Sequence, residues 1–429
     1  MWINEESCPF TTSHTALRIG RIQASLLVQI VQSATAFIIA LSLIPPLGPS
    51  EYGVFALGVS VQMFALSIVD SLLTVPITVA AGRYGTRVAG RDVSVLLPAV
   101  LVFSVMASMV VIALVLAGSS ALDVPEGQRL GFALVVGAGT LAVSLRESVR
   151  MLLLVERRLP SMIAVDVLAS AASILTLYVL LVPAKQHLNG STALLTLATP
   201  VIVYCLSLAI LPLHPIRLRR IGLILHLVRS GSRSLGASML SWVQSQSYIY
   251  FVATLLGAAA LGSLSAVRVV FAPLQTLFTG VAKGIMPGLA RRISVGEDLS
   301  FQRILTRSYQ FSGLLVFVWT GLAALGAETV FAAIGARHFH FDLAMVVSWG
   351  TVFLITALRS VSSVGLRSMA RFGDLVWQGL IGALVAMVSI PSLILQAGAV
   401  GALWGLSLAE LAAWLFSLRL LTRRAQCGR

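Results

Sequence analysis

Long apolar runs alternate with short polar gaps along the whole chain, and each run has about the length, roughly 20 residues, that an α-helix needs to cross a ~30 Å hydrocarbon layer. About twelve such runs can be counted. They fall near 22–44, 54–80, 93–117, 130–155, 161–182 and 192–213, and then near 235–256, 262–287, 308–334, 343–365, 375–395 and 399–421. The pattern predicts an all-α polytopic membrane protein. A more polar stretch in the middle divides it into an N-terminus (1–21), an N-terminal six-helix bundle (22–213), a linker (214–234), a C-terminal six-helix bundle (235–421) and a short tail (422–429). In the linker, Arg219, Gly222, His226, Arg229 and Arg233 recur three and four apart, with Ile221, Ile224, Leu225 and Val228 opposite them, which predicts an amphipathic helix lying on the membrane surface.

The halves echo each other. Leu47-Gly48-Pro49-Ser50-Glu51-Tyr52-Gly53-Val54-Phe55-Ala56 joins the first two runs, and Leu256-Gly257 with Gly262, Leu264 and Ser265 repeats its spacing between the seventh and eighth. Both read as tight connections in which glycine supplies backbone freedom. Leu145-Arg146 in the fourth run recurs as Leu358-Arg359 in the tenth, and Arg158 as Arg371 at the same offset. An even number of crossings in each half makes them parallel repeats about a pseudo-two-fold axis along the membrane normal, with a cavity between the two bundles.

Composition agrees with the pattern: 58% of residues are hydrophobic, 11% are charged and the mean hydropathy is +0.95. So much apolar surface needs lipid to cover it. The net charge of +14 sits mainly in the short gaps, as in Arg83, Arg87 and Arg91, and therefore reads as a topology signal rather than a nucleic-acid surface. It predicts cytoplasmic termini. Cys8, Cys205 and Cys427 are scattered and expected to be free thiols. Met1 to Gly20 is too polar for a signal peptide, so the first run is expected to be retained as an anchor.

Enzyme chemistry finds little support. Lys185 and Lys283 both follow alanine, which excludes a Walker A sequence; the six histidines form no metal-ligand pattern; and no nucleophile or carboxylate constellation stands out. No cofactor is expected. The informative residues are the charges inside the crossings: Arg146, Arg150, Arg268, Lys283 and Arg359, each costing about 3 kcal/mol if it faced lipid at mid-membrane. Asp70, Glu147, Asp166, Glu328 and Glu410 balance them in number, with Asp166 and Glu328 near helix ends. Glu147 lies three before Arg150, which predicts a structural pair and leaves Arg146 as the freer charge. A cationic cavity of this kind suits an anionic, phosphate-bearing solute, because the arginine fork matches phosphate geometry. On this basis Arg146→Ala or Arg359→Ala is expected to lower transport while membrane abundance stays intact. Gln29, Gln32, Gln244 and Tyr248 in the first crossing of each half mark a polar cavity face, and Asp70 and Glu410 are candidates for ion coupling.

The Leu47 to Ala56 segment, its echo, and Ile285-Met286-Pro287-Gly288-Leu289-Ala290-Arg291 resemble the polysaccharide transporter (Wzx-like) flippases of the multidrug/oligosaccharidyl-lipid/polysaccharide (MOP) superfamily. The resemblance implies a two-lobed, alternating-access carrier in the bacterial inner membrane. Its cargo would be a polyprenyl-diphosphate-linked oligosaccharide, an exopolysaccharide or O-antigen-type repeat unit, and its partners membrane lipids, a polysaccharide polymerase and glycosyltransferases. Two alternatives stand beside it: a drug/cation antiporter of the same superfamily, which wants an acidic cavity, and a scaffold of a polysaccharide assembly complex, which needs no wet interior.

Overall fold

The computed structural model describes residues 13–74, 86–118, 129–155, 158–182, 188–210, 221–295, 297–336, 338–339, 342–369 and 371–427. These are helical almost throughout, with no strand among them. The first half comprises α1 (Ser13–Val69), a π-helical turn (Asp70–Thr74), α2 (Thr86–Gly118), α3 (Arg129–Val155), α4 (Leu159–Leu181) and three short helices in series, α5 (Gly190–Ala193), α6 (Leu195–Ala198) and α7 (Pro200–Ile210). The second comprises α8 (Ile221–Leu256), α9 (Ala258–Ser294), α10 (Asp298–Ala333), α11 (Leu343–Ser368) and α12 (Phe372–Cys427).

Two helices are folded pairs of crossings. The apolar stretches Ile30–Leu72 and Gly373–Thr422, of 43 and 50 residues, would extend about 65 and 75 Å if straight, roughly twice the hydrocarbon thickness. Each bends where a glycine takes a positive φ: Gly48 (φ 69°) in α1 and Gly398 (φ 58°) in α12. Pro45, Pro46 and Pro49 withdraw backbone donors beside the first bend. Counting both arms of each, and the three short helices α5 to α7 as one, the described residues form twelve helical arms, six in each half. The expected linker is not set apart from the seventh crossing on its C-terminal side, because α8 runs unbroken from Ile221 to Leu256; residues 211–220 lie outside the described residues.

The echoed segments turn out to be the clasp between the halves. Gly53 packs against the carbonyl of Ala258, and Gly262 against the carbonyl of Pro49, so closely that a Cβ on either glycine would overlap the opposing backbone. The contacts are reciprocal: residue i of one segment meets residue i+4 of the other in both directions, as a two-fold relation requires. Within the first half, Glu51 anchors the segment to α5, accepting a 2.6 Å hydrogen bond from the Gly190 amide at its start. Around the clasp a shared apolar core joins Ile39, Leu43, Tyr52 and Phe55 to Ala266 and Val269 of α9 and to Phe331 and Phe339 beyond. The motif therefore does more than connect two helices; it holds the halves together at one end.

Candidate functional site

On the inner side of the clasp lies a central cavity of about 670 Å³, lined from both halves. Gln32, Gln62, Arg146 and Tyr204 reach it from the first half and Gln246, Arg268 and Gln275 from the second. A second cavity of about 400 Å³ adjoins it within the second half, and Arg268 lines both.

Arg268 is the cation common to both cavities. Its guanidinium donates a 2.8 Å hydrogen bond to the Tyr248 hydroxyl and lies 6.0 Å from the Tyr248 ring centre and 5.7 Å from that of Trp349. These neutral partners orient the charge without cancelling it. Arg268 makes no ion pair among the described residues.

The other predicted cations are more committed than sequence spacing implied. Arg146 does line the central cavity, but it bonds its neighbour Glu147 at 3.1 Å, whereas Glu147 was assigned above to Arg150. Helical spacing locates Cβ atoms; the long arginine stem lets the charged end swing back to the adjacent position. Arg150 acts on Asp166 of α4. Arg359 pairs with Glu410 of α12, whose other oxygen accepts a 3.1 Å hydrogen bond from Gln244 of α8. Glu410 is thus the counter-ion of a buried pair, and the expectation that Arg359→Ala spares abundance is revised accordingly. Gln244 is fully buried behind the second cavity rather than on its wall, pressed against Gly382. Gly382→Ala is expected to push Gln244 off Glu410 and destabilise the fold by roughly 1–3 kcal/mol, the usual range for overpacking, measured by thermal unfolding in detergent.

Asp70 opens the π turn and lines neither cavity. Gln29 and Lys283 lie within α1 and α9, with their side chains outside the described residues. Tyr248 is buried and reaches the second cavity. Among the described residues no cluster of His, Cys, Asp and Glu has the makings of a metal site.

Three residues emerge that the sequence reading passed over. Asp166, placed above near a helix end, is 3% exposed; it accepts 2.9 Å from Gln32 and lies within reach of Tyr204 and Arg150. A lone aspartate within Met162-Ile163-Ala164-Val165-Asp166-Val167-Leu168 was the available signal. Gln62 is 0% exposed, borders the central cavity and has both amide atoms unpartnered, its room supplied by Gly139. Arg367, two residues beyond the end of the tenth apolar run, lies in the last turn of α11 and lines the second cavity. The two halves repeat a theme: a glutamine of the first crossing donates to a buried carboxylate, Gln32 to Asp166 and Gln244 to Glu410, with an arginine of the fourth crossing nearby in each.

No family model matches the chain, and no curated protein does. Solved structures do. A multidrug resistance MATE family transporter of the MOP superfamily in an inward-facing conformation superposes with a TM-score of 0.73 over 94% of this chain and 98% of that one, at 13% identity. The chain has the fold of the MOP superfamily transporters. An outward-facing MATE structure gives 0.66 over 98% of this chain and 99% of that one at 14% identity. A MOP superfamily transporter from Pyrococcus furiosus, whose binding pocket is described as reversed in polarity and suggestive of a different function, also gives 0.66, over 98% and 99% at 14% identity. The twelve-helix, two-lobed architecture expected from the sequence is thereby established.

Proposed function

We propose that the chain is an alternating-access transporter that moves a lipid-linked, diphosphate-bearing oligosaccharide across a bacterial inner membrane, with both termini cytoplasmic. A polymerase and glycosyltransferases would act on the same cargo. The observation that carries it is Arg268: a cation at the junction of two cavities, held by a tyrosine and a tryptophan rather than by a carboxylate. The amide of Gln32 and the hydroxyls of Ser33 and Thr35, half-buried on the first half's wall, suit sugar hydroxyls.

The test is proteoliposome transport. A fluorescent polyprenyl-diphosphate sugar is expected to reach the far leaflet in the presence of this chain, while organic cations are not exported; the reverse result makes it a drug antiporter. Asp166 is the observation that favours that second reading, since a carboxylate buried within a crossing is a place for an exchangeable proton. In either case Asp166, rather than Asp70 or Glu410, is the coupling group proposed. Asp166→Asn is expected to make transport indifferent to the imposed proton or sodium gradient, and a gradient response equal to that of the unsubstituted chain would remove Asp166 from coupling.

A further inference from the structure

The second cavity holds more positive charge than its acid can match. Arg268, Arg359 and Arg367 line it, and Glu410, its one lining carboxylate, is already engaged by Arg359 and Gln244. Arg268 and Arg367 make no ion pair among the described residues. Arg359, Ser363 and Arg367 are spaced four apart along α11, so they stack on one face over about 12 Å and lead from mid-helix to its last turn. Arg367 is exposed at that end, whereas Arg268 is half-buried between its two aromatic neighbours. Arg359 also acts on Arg367 as a like charge, a repulsion that an incoming anion relieves. Hydroxyls of Ser245, Ser360 and Ser363 also line the wall, each donating to a carbonyl of its own helix and so offering oxygen rather than a free proton.

We propose that this cavity is a two-step site for a diphosphate ester, met first by Arg367 at the open end of α11 and seated at Arg268, with Arg359 fixed between them by Glu410. For the choice of a diphosphate the inference rests on the transport function proposed above. It adds a direction of loading and divides the labour: the second half takes the anion, and the first half presents neutral amides and hydroxyls to what the anion is attached to. An arginine face built this way binds planar pairs of phosphate oxygens, where a single ammonium group would not impose that geometry.

The test is binding to the full chain in detergent, with inorganic pyrophosphate and farnesyl diphosphate as separate probes. Both are expected to bind. Arg268→Gln is expected to weaken both about tenfold or more at any ionic strength, because the desolvated seat is lost. Arg367→Gln is expected to weaken both by roughly threefold at low salt and negligibly at high salt, as for an exposed steering charge, with Arg367→Lys restoring binding. Tyr248→Phe removes the hydrogen bond to Arg268 but keeps the charge; binding by this variant close to that of the unsubstituted chain, beside its loss in Arg268→Gln, separates a seat from a structural role. Tighter binding of the farnesyl form assigns the site to a lipid headgroup, and equal binding assigns it to free diphosphate. Absence of pyrophosphate and farnesyl diphosphate binding in the unsubstituted chain, or full binding in Arg268→Gln, overturns the site. Diphosphate binding without transport of the lipid-linked sugar leaves the site standing and removes the proposed function.

Discussion

Arg359→Ala is expected to destabilise the protein by about 3–5 kcal/mol, because it leaves Glu410 charged, buried and without a cation. Both the unfolding temperature in detergent and the abundance in membranes should fall. Removing the pair together, as Arg359→Met with Glu410→Leu, should recover most of the loss, since well-packed apolar residues commonly replace a buried ion pair at little cost. A double variant no more stable than Arg359→Ala would show that the lost charge balance is not the cause. Arg146 differs, although it occupies the repeated position. Its pair with Glu147 leaves side chains 25% and 23% exposed, and solvent screening limits such pairs to about 1 kcal/mol or less. Arg146→Ala should therefore leave stability nearly unchanged and act on the cavity it lines.

The second large effect is expected at the clasp. Gly262→Ala places a methyl group into the Pro49 carbonyl, and neither backbone can yield without parting the halves. Overpacking of this kind costs roughly 1–3 kcal/mol in the clasped state. A penalty confined to one of two conformations shifts their ratio about 5- to 150-fold. The measurable consequence is access. With Cys8, Cys205 and Cys427 replaced by serine, a cysteine at Ser265 on the central cavity wall should be labelled faster by a membrane-impermeant maleimide from the clasp side when Gly262→Ala is added. Gly48→Ala is the control: its φ of 69° imposes about 1–2 kcal/mol of backbone strain, but no atom lies within 4 Å, so labelling should not change. Equal labelling with and without Gly262→Ala would mean that the clasp does not close the cavity.

The central residues were visible in the sequence to different degrees. Charges within apolar runs announced Arg268 and Arg359, since lipid penalises them wherever they lie. Gln32 was legible as one polar group in the first crossing. Gln62 stood out less, because a single amide in an apolar helix carries no period. Arg367 was hidden by a sound rule, that arginines cluster at the cytoplasmic ends of crossings. The rule places the residue along the membrane normal but is silent about which helix face carries it. Asp166 was lost to a boundary: α4 begins at Leu159, so Asp166 lies two turns inside the helix, and neighbours from α1, α3 and α7 bury it.

By itself the sequence determined the helical class, the two six-crossing halves, their repeat and the presence of charge in the membrane. Each of these follows from properties local to one segment: run length, hydropathy and glycine spacing. Tertiary structure alone decided how the charges pair, with Arg146 on Glu147, Arg359 on Glu410 and Arg268 left between Tyr248 and Trp349. It also turned Pro49 to Gly53 and Ala258 to Gly262 from two connections into one clasp. Spacing along a helix fixes which residues share a face, but partners on other helices, such as Arg359 and Glu410 across 51 residues, are set by packing, and neither composition nor period encodes that.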